Sequence, residues 1–227
     1  MKVCETPKVA GIPDQVGPSQ PFDLDNFLTY GGGLPVTWSV SGVPASWTVT
    51  IDANNVVTVV APDNDPPTDL TFTASITCGP GVVCSGSDVA RFTPNRPPDC
   101  SKATPSVGTI WPPDHKSVAI KVLGVTDPDT DAFTINIDSI KQDEPVDTLG
   151  DGSSTPDGKG VGTSTAEVRA ERVGTPSVPG NGRFYHIGFT ATDVHGLTCS
   201  GTVKVSVPHD QNKKPVDGGA LYDSTLP

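Results

Sequence analysis

Leu70-Thr71-Phe72-Thr73-Ala74-Ser75-Ile76 decides the fold. Its apolar residues fall at every second position with Thr and Ser between them, the period of a strand that buries one face and wets the other. A helix would space them three and four apart. A half-buried strand requires antiparallel neighbours over a core, and the flanking sequence supplies them. Phe22-Asp23-Leu24-Asp25, Val36-Thr37-Trp38-Ser39-Val40, Trp47-Thr48-Val49-Thr50-Ile51 and Val56 to Val60 precede it, and Asp88 to Phe92 follows, each alternating or apolar over strand length. Trp38 lies inside its apolar run and reads as core. Trp47, behind Pro44-Ala45-Ser46, can serve the core or a stacking surface.

The composition agrees with an all-β chain. Among 227 residues there are 24 Gly and 24 Pro, and both are costly in a helix interior, which excludes a helix bundle or a doubly wound α/β fold. Asp and Glu number 26 against 15 Lys and Arg, a net charge of −11. With no basic cluster longer than Lys213-Lys214, binding to nucleic acid or an anionic membrane is not expected, and cations are the natural partners. No apolar stretch approaches the roughly 20 residues that span a bilayer, so no membrane insertion is expected. Met1-Lys2-Val3-Cys4-Glu5 has no signal-peptide core, so an export signal is expected to have been removed or the chain excised from a longer one.

Pro94-Asn95-Arg96-Pro97-Pro98-Asp99-Cys100 interrupts the strand pattern. Its prolines deny ladder donors and stiffen the backbone, so it reads as a semi-rigid linker. Strand-like segments resume at Val118 to Val122, Phe133-Thr134-Ile135-Asn136-Ile137, Ser164 to Ala170, Phe184 to Thr192 and Thr202 to Val207. The insert from Gln142 to Gly162 has no apolar periodicity and reads as a long acidic loop that needs an external tie to be ordered. These boundaries give β-sandwiches over residues 1–94 and 95–208 and an extended tail over 209–227, too polar to hold a strand face of its own.

Cys78 and Cys84 flank Gly79-Pro80-Gly81-Val82-Val83, a turn between two strand-like runs, which predicts a disulfide across a hairpin. Cys100 and Cys199 would close a loop of about 100 residues, worth about 4.7 kcal/mol on the entropic account. Cys4 is left over. No close Cys pair of zinc-site spacing and no haem-attachment motif occurs, so the cysteines point to an oxidising, extracytoplasmic setting.

The first half resembles bacterial cadherin-like and immunoglobulin-like repeats, including the dystroglycan-type group, in Ile12-Pro13-Asp14-Gln15, Phe22-Asp23-Leu24, Val36 to Val40 and Phe72-Thr73-Ala74. The second half is similar to an Ig-like extracellular bacterial module through Ile110-Trp111-Pro112-Pro113-Asp114-His115-Lys116, Val125-Thr126-Asp127-Pro128-Asp129-Thr130-Asp131, Gln142-Asp143-Glu144-Pro145, Arg169-Ala170-Glu171-Arg172, Ile187 to Asp193 and Val207-Pro208-His209-Asp210-Gln211. Related modules carry Asn where Asp114 stands and Gly where Thr130 stands. The resemblance implies two tandem immunoglobulin-like or cadherin-like β-sandwiches in a secreted or surface-anchored protein, with a spacer, adhesion or assembly role and no catalytic activity.

Asp127, Asp129 and Asp131 alternate in one loop, so their carboxylates can converge on a hard cation such as Ca2+, which takes six to eight oxygens. In an immunoglobulin-type topology the loop holding Asp193 lies at the same end, making it a fourth candidate ligand. Asn95 and Asp99 of the linker approach that end as well, as in cadherin-like inter-domain sites. Asp143, Glu144, Asp147, Asp151 and Asp157 form a second acidic group, which reads equally as a loop tied by calcium or as a solvated flexible loop. Asp63-Asn64-Asp65 is a weaker one that also reads as a plain turn.

His115, His186, His195 and His209 are dispersed, and no nucleophile or metalloprotease motif accompanies them, so no enzyme is expected. The leading expectation is a calcium-stabilised structural or adhesive protein of the bacterial surface, its partners other subunits or neighbouring surface domains. An alternative is a fibre subunit that assembles through Cys4 and through a tail strand around Leu221 and Tyr222, added to the next copy's sheet edge. Another is a carbohydrate-binding module, with glycans stacking on Trp47, Trp111 or Tyr222.

Overall fold

The computed structural model describes residues 4–147, 154–175 and 180–227 and divides the chain into two compact units, Met1–Arg96 and Pro97–Pro227. Asp151 of the acidic insert lies outside the described residues. Among those residues the regular elements are all strands, apart from a single 3-10 turn at Leu24–Phe27.

The first unit contains β1 (Lys8–Val9), β2 (Gln15–Val16), β3 (Phe22–Asp23), β4 (Leu28–Thr29), β5 (Thr37–Ser41), β6 (Thr48–Ile51), β7 (Val56–Val60), β8 (Thr68–Gly79) and β9 (Val82–Thr93). They form sheets ordered β2-β9-β8-β5, β3-β7-β6 and β1-β4. Leu70, Phe72, Ala74 and Ile76 of β8 are all buried, as the alternation requires, while the Thr and Ser between them are not. Phe22 and Phe92 close around Phe72 with ring centroids 5.7 and 6.3 Å away. Burying each such side chain contributes roughly 1.5–3 kcal/mol. β8 and β9 are one long hairpin whose turn, Pro80-Gly81, joins the facing pair Gly79 and Val82. Pro80 presets its own φ and Gly81 takes φ 77°, a conformation that costs a side-chain-bearing residue.

The second unit contains β10 (Thr104–Pro105), β11 (Ser117–Leu123), β12 (Phe133–Gln142), β13 (Gly158–Lys159), β14 (Thr165–Arg169), β15 (Arg183–Asp193), β16 (Thr198–Val207) and β17 (Tyr222–Asp223). Its sheets run β10-β11-β14-β13 and β16-β15-β12-β17. Ile120, Ile137, Ile140, Val168, Tyr185, Ile187, Phe189, Val203 and Val205 belong to its core. β12 runs five residues past its expected end at Ile137, because a bulge between Ile137 and Ser139 shifts the register. The extra residue changes which face is turned inward, so Ile137 is buried before it and Ile140 and Gln142 after it. Strict alternation cannot reveal such a strand.

The tail departs from expectation, since it pairs within its own unit. Gln142 and Lys141 of β12 face Tyr222 and Asp223 of β17. Leu221 N donates to Gln142 O at 3.0 Å, Ser224 N to Ile140 O at 2.9 Å, and Gly158 N to Ser224 O at 2.7 Å. Upstream, Asp217 receives Lys204 Nζ at 2.7 Å and lies 2.8 Å from His186 Nε2. Burial works against the Asp217 charge, but the hydrogen bonds from Lys204, the Gly219 N–H and His186 hold its carboxyl at about 2. These are backbone and charge contacts, which need no apolar pattern in the tail and therefore leave none to read.

Candidate functional site

The loop after β11 places Asp127, Asp129 and Asp131 between the strands as expected. Asp127 Oδ1 accepts from the N–H groups of Asp129 at 2.8 Å and Asp131 at 3.2 Å, folding the loop around its own first carboxylate. Thr130 adopts φ 65°, a left-handed conformation that its branched side chain disfavours. Asp193 organises the facing turn in the same way, with Oδ1 accepting from His195 N at 2.8 Å and Leu197 N at 2.9 Å. Asp131 Oδ2 stands 3.4 Å from His195 Nε2, so the two loops do meet. Asp99 joins this end through its backbone, exchanging bonds of 2.7 and 3.2 Å with Thr126. Its carboxyl is lowered by hydrogen bonds from the Ser101 side chain and backbone.

These residues fit a hard cation in part. Asp127 Oδ2 is buried without a hydrogen-bond partner, the kind of oxygen a cation would satisfy, and the buried Asp131 Oδ2 has the His195 ring 3.4 Å away but no hydrogen bond. Yet the described residues bring no three of these carboxylates within 4.8 Å of one another, and calcium takes about six to eight oxygens. Any cation here draws further oxygens from elsewhere.

The insert is tied from within the protein through Asp143, Glu144 and Asp157. Arg183 at the start of β15 is fully buried, and its Nε donates to Glu144 Oε2 at 3.2 Å while Nη1 donates to Asp157 Oδ2 at 2.6 Å. Gln142, turned inward by the bulge, donates Nε2 to the same Asp157 oxygen at 2.8 Å. Glu144 Oε2 also accepts from Val173 N at 2.7 Å. Asp143 accepts from Phe184 N at 2.8 Å and Gly218 N at 2.9 Å, binding the insert to β15 and to the tail. Arg183 thus supplies the cation for Glu144 and Asp157, and a guanidinium fork suits carboxylates in this role.

Around Arg183 the network continues through Tyr185, which receives Nη1 at 3.2 Å and donates its hydroxyl to Arg169 O at 3.0 Å. Burial pushes the Tyr185 phenol up, and burial likewise raises Glu144 against the opposing pull of Val173 N–H and Arg183. Glu171 has a side chain only 1% exposed, 3.4 Å from His115 Nδ1 and 3.9 Å from Arg169 Nη1. Burial first, and then the nearby Asp157 charge, raise its carboxyl to about 8. Both effects favour its protonated form. Two sequence signatures, Gln142-Asp143-Glu144-Pro145 and Arg169-Ala170-Glu171-Arg172, converge here. Nothing in the sequence marks Arg183 and Tyr185 as site residues, because an Arg heading an apolar run resembles an ordinary strand flank.

The cysteines also depart in part from expectation. Cys100 and Cys199 are bridged with Cα atoms 5.8 Å apart. In the first unit the bridge joins Cys4 to Cys78, whose Cα atoms are 5.4 Å apart, and Cys84 is the free thiol in place of Cys4. The cause is the N-terminal arm, which brings Cys4 alongside Cys78 on the hairpin, where Cys84 faces Ile76.

Of the aromatic residues offered for stacking, Trp47 is 6% exposed and belongs to the core, its Nε1 donating to Asp65 Oδ2 at 2.8 Å. Asp65 of the Asp63-Asn64-Asp65 turn is thereby a core acceptor. Trp111 and Tyr222 stay 41% and 40% exposed. No helix among the described residues is long and apolar enough to cross a membrane.

No protein-family model matches the chain, and no curated protein matches it. Solved structures with similarity include extracellular cadherin domains 1–3 of a mouse clustered protocadherin, gamma C3, at 14% identity and TM-score 0.40, covering 89% of this chain and 67% of that one. Extracellular cadherin domains 1–5 of protocadherin gamma B2 match at 14% identity and TM-score 0.39, covering 89% and 40%. These values carry no partner or ligand over to this chain.

Proposed function

We propose that the chain is a non-enzymatic segment of an extracellular structural or adhesive protein, working with neighbouring domains or other subunits and stabilised by calcium. The observation that supports this reading is its pair of disulfides, Cys4–Cys78 and Cys100–Cys199, across sequence separations of 74 and 99. Bridges of this kind persist in oxidising compartments. The buried polar cluster around Arg183 supports the same reading, since its charges are spent on one another and on the backbone. The buried Oδ2 atoms of Asp127 and Asp131, which make no hydrogen bond, are the calcium anchors in this reading. Thiol mapping of protein isolated from its source tests the location: Cys100 and Cys199 resist alkylation without reductant, and free thiols there would overturn it. Thermal unfolding in millimolar calcium and in chelator tests the ion. A raised midpoint that Asp127→Asn with Asp131→Asn removes is expected, and identical midpoints for the parent chain end the calcium reading.

A second reading, a fibre subunit, is favoured by the sheet edge itself. β17 supplies only two paired residues to β12 and leaves Leu221 and Tyr222 exposed beside them. A tail exchanged between copies would use the same pairings. Light scattering that shows only monomer across a wide concentration range would remove it.

A further inference from the structure

Three sulfurs meet beside the β8–β9 turn. Cys84 Sγ lies 3.3 Å from Cys78 Sγ and 3.5 Å from Cys4 Sγ. All three fall within 4.8 Å of one another, with Cys4 exposed and the other two half-buried. A thiol held this close to a disulfide is a nucleophile beside its own electrophile. We propose that Cys4, Cys78 and Cys84 form a thiol–disulfide exchange site, in which one bridge migrates between Cys4–Cys78 and Cys78–Cys84 and the free thiol moves from the hairpin to the N-terminal arm.

The step balances without any oxidant. The Cys84 thiolate attacks Cys78 Sγ, a Cys84–Cys78 bond forms, and the Cys4–Cys78 bond breaks with its electron pair on Cys4 Sγ. The proton given up by Cys84 is matched by the one Cys4 takes up. Because Cys84 is almost equally far from both bridged sulfurs, it stands beside the bond, so a side-chain rotation brings the three atoms into line before exchange. The product bridge links adjacent strands of one hairpin, so the sheet pairing of β8 with β9 is kept.

The arm is placed to respond. A Cβ on Gly86 of β9 would overlap Pro7 O, so the absence of a side chain there lets residues near Cys4 lie directly against the hairpin. Past that point Lys8 and Val9 remain paired with Thr29 and Leu28. Exchange therefore frees the arm only up to Pro7 and presents Cys4 as an exposed thiol toward disulfides of other molecules. This inference goes beyond the proposed function and requires only the Cys4–Cys78 bridge.

The test is trapping by N-ethylmaleimide. Unreduced full-length protein is incubated at pH 8 and alkylated, and the labelled cysteine is located by peptide fragmentation, at two protein concentrations tenfold apart. Label on both Cys84 and Cys4 is expected at either concentration. Cys84→Ser, which removes the attacking sulfur with little change in volume, is expected to leave Cys4 unlabelled. Label that never reaches Cys4, that reaches it only at the higher concentration, or that persists on Cys4 in Cys84→Ser overturns the proposal.

Discussion

Arg183 Nη1 stands 2.6 Å from Asp157 Oδ2, and neither side chain is more than 1% exposed. A residue at the head of β15 and one from an acidic insert thus share a site that water does not reach. Arg183→Met leaves Glu144 and Asp157 buried without their cation, and breaking a pair in this way costs about 3–5 kcal/mol. Urea unfolding followed by a probe in the second unit measures it. Adding Glu144→Gln and Asp157→Asn should recover part of the loss, and a single-variant cost below about 1 kcal/mol would show the cluster to be solvated.

Glu171 makes the second unit less stable as pH rises through neutrality. Its carboxyl ionises near 4.5 ordinarily and near 8 in the folded chain. Between those values the folded state holds a proton that the unfolded state has released, so stability falls from about pH 4.5 to about pH 8 and levels off above. Glu171→Gln should flatten that slope. A parent profile that is flat or rising over this window contradicts the prediction.

Thr130 bends the Asp127 to Asp131 loop at φ 65°. Thr130→Gly relieves roughly 1–2 kcal/mol of left-handed strain and adds about 0.4–1 kcal/mol of unfolded-chain entropy. A net gain of about 0.5–1 kcal/mol is expected in chelator, where no ion contributes. Destabilisation measured there would mean that the Thr130 side chain makes a contact the loop needs.

Deleting residues 212–227 removes the three backbone bonds that Leu221 and Ser224 make with Gln142, Ile140 and Gly158. At roughly 0.5–1.5 kcal/mol each, these three bonds alone contribute about 1.5–4.5 kcal/mol, a lower bound on the loss. Acid should loosen the same tail in the intact chain. Asp217 titrates at about 2 against an ordinary 3.8, so its contribution is present above 3.8 and disappears as pH falls toward 2. Hydrogen exchange at Gly158 reports both effects and exchange at Ser224 the acid effect in the intact chain, and unchanged protection in acid would separate the tail from Asp217.

The strands were legible where one face is apolar and the other polar, as in Leu70 to Ile76 and Val203 to Val207, because burial imposes that period directly. The bulge in β12 was not legible, since an inserted residue turns a regular pattern into an apparent end. Carboxylates could be named from composition, but their partners could not. Asp143 and Glu144 read as cation ligands, yet Glu144 meets Arg183, 39 residues away, and Asp143 meets the backbone N–H groups of Phe184 and Gly218. The Cys4–Cys78 bridge was hidden for a similar reason: it depends on where the N-terminal arm lies, and Gly86, which admits the arm, looks like any other strand glycine.

The Cys100–Cys199 bridge also sets how the second unit can respond to a pull. Tension applied to the chain outside these two residues passes through the covalent link, so the 99-residue span it closes stays out of the load path even if the sheets part. At about 3.3–3.6 Å per residue, roughly 330–360 Å of slack is withheld from an oxidised chain and released only on reduction. In a tethered setting this unit behaves as a short strap whose reach is fixed by its redox state.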